Sequence, residues 1–400
     1  MKTVRLGAIA ESLPCDYGDG PTDDAPALDV IKVSNVNGEG QFHGDFEKRR
    51  FRDDQLTNLL VKEGELLVVK SSGSKANILS GKTAICGADR AGRIIASNFL
   101  LRLRVDESAV VPRFLWYVLN SGASKAFVKT IVGASTYPNL KWSLYASHPI
   151  PLPPLAEQRR IAEVLDRAEA LRAKRHAALT QLDTLTQSIF LDLFGDPATN
   201  PKGWQMSRVG DAADVQGGLQ VSTARRTYPR EVPYLRVANV HRGFLDLDEI
   251  KMLRATDAEI ARTNLQKGDL LIVEGHGNPE EIGRGALWDG SITECVHQNH
   301  IIRVRFDCEK LIPIYACESL NSPSGRRHLL RSGKTTSGLN TISVSEVRAA
   351  PIAVPPLSLQ REFARRIAAV EKLKTTHRAS LAELDALFAT LQHRAFRGEL

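Results

Sequence analysis

The chain has 400 residues, more than one ordinary core needs, so two domains with connectors are expected. With 42% apolar and 25% charged residues it reads as globular rather than disordered, and no stretch nears the roughly 18 uninterrupted apolar residues of a membrane span. A formal net charge of +7 suits a polyanionic partner without requiring one.

The opening "MKTVRLGAIAESLP" lacks the apolar core of a secretory signal. The five cysteines (Cys15, Cys86, Cys295, Cys308, Cys317) are odd in number and form no CxxC pair, which fits reduced thiols in a cytoplasm. Residues 1–150 then read as a first, strand-rich domain. "LLVVK" follows a Gly-Glu turn, "NFLLRLRV" has β-type residues, and 111–131 reads as helical behind Pro112.

A central helical segment follows at 151–196. The prolines Pro153-Pro154 precede a long helix, and counting by sevens puts Ile161, Ala168, Arg175, Leu182 and Ile189 on one seam position. Val164, Leu171, Ala178, Leu185 and Asp192 fall on the next. "GDPATNPKGW" (195–204) is a turn-rich linker into a second domain at 197–350, and a C-terminal helical segment occupies 351–400. Its stripe is Phe363, Ile367, Val370, Leu373, Leu381, Leu384, Leu387 and Leu391.

The second half repeats the first. "PIPLPPLAEQRRIAEVL" from Pro149 aligns without a gap on "PIAVPPLSLQREFARRI" from Pro351, 202 residues on. "IKVSNV" (31–36) pairs with "LRVANV" (235–240), and "VKEGELLVV" (61–69) with "LQKGDLLIV" (265–273). A period this long marks a duplicated domain rather than a solenoid. The fold class expected is α+β: two similar mixed domains separated by two long antiparallel helices, with an internal pseudo-two-fold repeat. The other packing open to the sequence is each helix lying only on its own domain.

"KSSGSKANILSGKTAI" (70–85) ends in the Gly-Lys-Thr of a phosphate-binding loop, but the first glycine of that pattern is Ala76. Aligning Gly73 and Gly81 with Gly277 and Gly285 replaces Lys82-Thr83 by Ala286-Leu287, which argues against a phosphate lysine. No methyltransferase cofactor loop, paired carboxylates or Ser/His/Asp set is legible. Cys295, His297 and His300 in "CVHQNH" lack a fourth ligand, so no metal is expected.

Polar loops dominate instead, in residue types that meet bases and phosphates. In the first domain the candidates are Asn35, Asn37, Lys70, Ser72, Ser74, Lys75, Asn77, Lys82, Ser135, Thr136, Tyr137 and Asn139. In the second they are Asn239, His241, Arg242, His276, Asn278, Arg284, Lys334, Thr335, Thr336, Ser337 and Asn340. A conserved frame with divergent loops suits the reading of two different half-sites. An enzyme of nucleotide chemistry and a coiled-coil scaffold that touches no DNA are the competing classes.

The doubled Pro-Pro-Leu-x-x-Gln start of a long helix, with "NPKGW" opening a domain, resembles the specificity subunits of type I restriction–modification systems, and the resemblance runs through the whole chain. It implies two target-recognition domains, each reading half of a bipartite double-stranded DNA site. It also implies an antiparallel helical spacer that sets the gap and docks two methylation subunits, through which restriction subunits join. Gln158, Arg159, Gln360 and Arg361 are the partner-binding candidates on this basis. It further implies no catalytic centre or cofactor in this chain; S-adenosylmethionine, ATP and Mg belong to partner subunits.

Overall fold

The structure is a computed structural model that describes residues 2–18, 28–51, 53–71, 73–74, 77–132, 139–332, 334–336 and 339–400. For 53–55, 73–74, 77–78, 279, 332, 334–336 and 339–340 it describes the backbone alone. The chain forms two compact units, Met1–His176 with Ala379–Leu400, and Ala177–Arg378. Both long helices, Leu155–Phe194 and Leu357–Ala395, give one half to each unit.

In the first unit an antiparallel sheet orders Ala10–Leu13, Leu100–Val105, Leu66–Val69 and Thr83–Ile85. Leu66–Val69 is buried along its whole length, which is why it reads as an unbroken apolar run rather than an alternation. A second sheet sets Leu28–Ile31 between Glu47–Arg49 and Ile94–Ala96, parallel to the latter. Thr3–Arg5 pairs with Pro149–Pro151, so the start of the chain is fastened to the strand before the helix. The 111–131 stretch is two helices, Pro112–Leu119 and Gly122–Val132. At the break, the Asn120 amide accepts from Thr83 N and donates to Thr83 O, tying helix to sheet.

The second unit repeats both of these sheets and the strand pair before the long helix. Ala213–Gly217, Ile301–Phe306, Leu270–Val273 and Gly285–Leu287 form the antiparallel sheet, and Arg230–Leu235 sits between Lys251–Ala255 and Val296–His297. Gln205–Arg208 pairs with Pro351–Val354. Asn321 brackets Gly285 as Asn120 brackets Thr83. This corrects the loop alignment: Thr83 matches Gly285, so Lys82 matches Arg284, and a cation is kept at that place. Gly81 and Gly283 confirm the shift, since both have positive φ and donate to Val69 O and Val273 O. The phosphate-loop reading still fails, for a different reason. Its lysine must open a helix, whereas Lys82 leads into the strand Thr83–Ile85.

Within each unit the helix halves run antiparallel. In the first, Arg172 Nε bonds Asp385 at 2.6 Å, its guanidinium lies over Phe388, and Phe114 packs edge-on to Phe396. In the second, Lys374 Nζ reaches Asp183 at 2.8 Å, and Phe190 and Phe194 close on Phe363 and Tyr315. Part of the expected seam is wrong. Leu171, Leu185, Leu373 and Leu387 are 51%, 43%, 52% and 49% exposed, while Leu165, Lys374 and Phe190 turn inward. Arg172 and Lys374 explain the miscount: their aliphatic stems take inward positions and their charges find carboxylates, so an apolar count picks the neighbouring leucine instead.

Candidate nucleic-acid interface

One candidate in each domain and the glutamine at each long-helix start prove to be framework. Asn35 is 3% exposed; its Oδ1 accepts from Lys32 N and its Nδ2 donates to His43 O and Asp45 O. Asn239 does the same with Arg236 N, Asp246 O and Glu249 O. Neither amide has a group left for a base, and both serve instead to fold the loop that follows. Gln158 and Gln360 have no exposed surface at all and spend their amides inside the fold, which removes them as docking side chains. Their neighbours Arg159 and Arg361 are exposed.

In the first domain Ser71 bridges to Asn139, and Gly73–Ser74 pairs with Asn77–Ile78. Beside them a cleft of ≈ 700 Å³ is lined by Tyr17, Lys32, Asn37, His43, Lys82 and Phe99, among others. Asn37 shapes its own loop, accepting from Glu39 N and Gln41 N. Sequence reading missed Tyr17, Lys32, His43 and Phe99. Phe99 is 50% exposed and meets the Tyr17 ring edge-on at 6.5 Å. Tyr17 is held by Glu47 and by the Arg49 guanidinium over its face. Glu47 also takes Lys32, and these two hydrogen bonds hold its carboxyl at about 2. Ser72, Lys75, Ser135, Thr136, Tyr137 and Ser337 lie outside the described residues, and the side chains of Ser74 and Asn77 are not described either.

In the second domain Gly275–His276 pairs with Leu339–Thr341, which pairs with Lys334–Thr336. This three-stranded ribbon places His276 opposite Asn340 and Asn340 opposite Thr335, so these candidates share one ribbon. His276 Nδ1 accepts from Asn278 N, and Asn278 Oδ1 from Glu280 N. His241 stacks on Phe244, which is 59% exposed. Arg242 and Arg284 are less available: the first donates to Glu280 O and Asn321 O, the second to Glu281 and Val237 O. Burial and the nearby Arg326 push the Arg242 pKa down.

The two surfaces hang on the same backbone bonds. Lys70 N donates to Phe99 O and Leu140 N to Lys70 O, at 3.0 and 2.7 Å. Glu274 N donates to His300 O and Ile342 N to Glu274 O, at 2.9 and 2.8 Å. One frame therefore carries a lysine beside a phenylalanine in one domain and a glutamate beside a histidine in the other. Cys295 and His297 are buried, with His297 Nδ1 on Ile301 O, whereas His300 is exposed, so "CVHQNH" does not converge on one point. Among the described residues no three His, Cys, Asp or Glu side chains gather at metal-binding range, and no helix is long and apolar enough to cross a membrane.

Comparison with known proteins points the same way. A family model, the type I restriction modification DNA specificity domain, matches residues 58–181 and 201–386. The specificity subunit of type I restriction enzyme EcoKI from Escherichia coli (strain K12) is 27% identical over 380 residues, 85% of this chain and 77% of that one. The StySPI specificity subunit from Salmonella potsdam is 24% identical over 373 residues, with the same two coverages. Among solved structures, a chain from work on the assembly and conformational transition of a type I R-M system gives a TM-score of 0.56 at 18% identity, covering 100% of this chain and 98% of that one. The type I S subunit from M. genitalium gives 0.55 at 13%, covering 99% and 96%. At such identities the structural likeness speaks for the fold.

Proposed function

We propose a division of labour for this chain, which belongs to the type I restriction modification DNA specificity family: each domain reads half of a bipartite DNA site, and the long helices hold the halves apart and carry the methylation subunits. The chain is a specificity subunit, without a catalytic role of its own. The observation that carries the reading is the shared frame with exchanged side chains, Lys70 and Phe99 against Glu274 and His300. A scaffold would have no use for two matched polar surfaces that differ in charge at the same backbone position. Lys70, Lys82, Asn37 and Asn139 are described first-domain residues proposed to meet DNA; His241, His276 and Asn278 are those of the second.

The four outward leucines support docking. Leu171 and Leu373 are repeat partners, as are Leu185 and Leu387, and each compact unit exposes one member of each pair. Two equivalent apolar faces suit two methylation subunits, with Arg159 and Arg361 at the helix starts as further contacts. S-adenosylmethionine, ATP and Mg would act on those partners, in the cytoplasm.

Co-expression with the methylation subunits, followed by mass measurement and methylome sequencing, tests this. A bipartite methylated motif and two methylation subunits per chain are expected. A stable one-to-one complex at saturating partner overturns the docking reading.

A further inference from the structure

We propose that Glu274 is a specificity-determining residue of the second domain, accepting from the exocyclic amino group of a cytosine in the major groove. The proposal rests on the DNA-reading function above and adds a residue that the sequence candidates did not include. Its first support is position. Glu274 has the same backbone bonds as Lys70, with one neighbour in the turn before the long strand and one in the loop that returns to the helix. Whatever Lys70 faces in the first half-site, Glu274 faces in the second.

The second support is an unmet need. The Glu274 carboxylate is 27% exposed and receives no hydrogen bond from any described residue. The imidazole of His300, which carries charge only when protonated, has its Nδ1 at 3.8 Å, beyond hydrogen-bond reach. Burial pushes the carboxyl up to about 6, the behaviour of an acid that lost water without gaining a donor. Free energy is recovered when a donor arrives.

Chemistry then selects the donor. Phosphates repel a carboxylate, so a glutamate on a DNA-binding surface gains only by reaching a base edge. An ionised carboxylate accepts and cannot donate. Guanine O6 and N7 and thymine O4 are acceptors and would be repelled. Adenine offers N6 beside the acceptor N7, whereas cytosine offers N4 with no major-groove acceptor of its own. Two carboxylate oxygens with no proton between them fit cytosine best. Lys70, a pure donor at the matching place, would take guanine by the same rule.

The test uses the full chain with its methylation subunits and methylome sequencing of DNA modified by wild type, Glu274→Gln, Glu274→Lys and Glu274→Asp. Wild type is expected to give a bipartite motif with a fixed C·G pair in the half read by the second domain. Glu274→Gln, of the same shape, should relax that one position roughly ten-fold or more and leave the other half unchanged. Glu274→Lys should invert the preference there toward guanine, and its fold is safe because the frame already holds a lysine at 70. Glu274→Asp keeps the acceptor and should keep the base. A uniform drop in methylation with an unchanged motif, or full activity with an unchanged motif in both Gln and Lys variants, overturns the proposal. A wild-type complex whose methylation shows no bipartite motif overturns the DNA-reading function beneath it, which separates the two failures.

Discussion

Gln158 Oε1 accepts from Val111 N at 2.8 Å while its Nε2 donates to Ala109 O and Pro153 O, and Gln360 repeats all three bonds on Ile312, Lys310 and Pro355. The glutamine of the doubled motif is thus a clamp between the helix start and the loop before Pro112 or Pro313. Gln158→Ala strands one backbone donor and two acceptors in a buried place. A loss of about 1–3 kcal/mol is expected. Faster hydrogen exchange at Val111 in the full chain, with exchange at Ile312 unchanged, would locate it; equal loss of protection at both sites would refute a local clamp.

Leu171 and Leu387 belong to one compact unit, Leu185 and Leu373 to the other, and all four face outward. Changing Leu171 and Leu387 together to glutamate should leave the fold intact and weaken one of two docking events. Each leucine buried on docking contributes about 1.5–3 kcal/mol, so the pair should cost at least a hundred-fold in affinity. Native mass spectra should then shift from two methylation subunits toward one. Retention of both at concentrations near the wild-type Kd would rule out this face.

The duplicated architecture was legible because the core strands are solid apolar runs and the helix starts repeat letter for letter. The loop alignment failed by two residues because glycines were matched, whereas Asn120 and Asn321, the residues that bracket the strand, go by in sequence as ordinary helix ends. Charged stems at Arg172 and Lys374 hid the true seam. Asn35, Asn239, Gln158 and Gln360 looked like readers or docking groups because polarity in a sequence does not say whether the partner is a base or the protein's own backbone. Glu274 was visible as the counterpart of Lys70 in "LLVVK" and "LLIVE", but a carboxylate is not sought on a surface meant for DNA.

His148 and His297 are buried, and desolvation holds both down to about 4. His148 lies 2.6 Å from Ser124 Oγ and is stacked on Phe127. The unfolded chain takes up a proton near pH 6.5 and the fold does not until about 4, so stability present above the upper value is lost as pH falls between them. Each histidine gives a slope of roughly 1.4 kcal/mol per pH unit in that window. Glu274 and Glu318, raised by burial, act in the opposite sense: their charged forms cost stability at higher pH, and protonation relieves it. Both lie in the second unit, so the first should be the more acid-sensitive. Urea unfolding of the full chain at about pH 7.5 and 5 should show this, and His148→Gln should flatten the loss in the first unit. An unchanged slope in that variant would mean another group is responsible.

Both long helices pass between the units at His176–Ala177 and Arg378–Ala379. If they measure the gap between half-sites, lengthening both there should lengthen the gap. One insertion alone would break the antiparallel pairing, and one near Phe194 would disturb its contacts with Tyr315 and Phe363. Seven residues placed in each helix preserve the seam, because the stripe recurs on that period to within about 20°. The Arg172–Asp385 pair stays on one side of the insertions and Lys374–Asp183 on the other. Seven helical residues add roughly 10 Å, about three base pairs at roughly 3.4 Å per step. The small rotation is absorbed more easily than the half turn that a two-residue insertion would impose. Methylome sequencing should therefore return the same two half-sites with a gap about three base pairs longer. An unaltered gap at full activity would mean that the domains find their half-sites through the linkers and that the helices serve only as a platform for the methylation subunits.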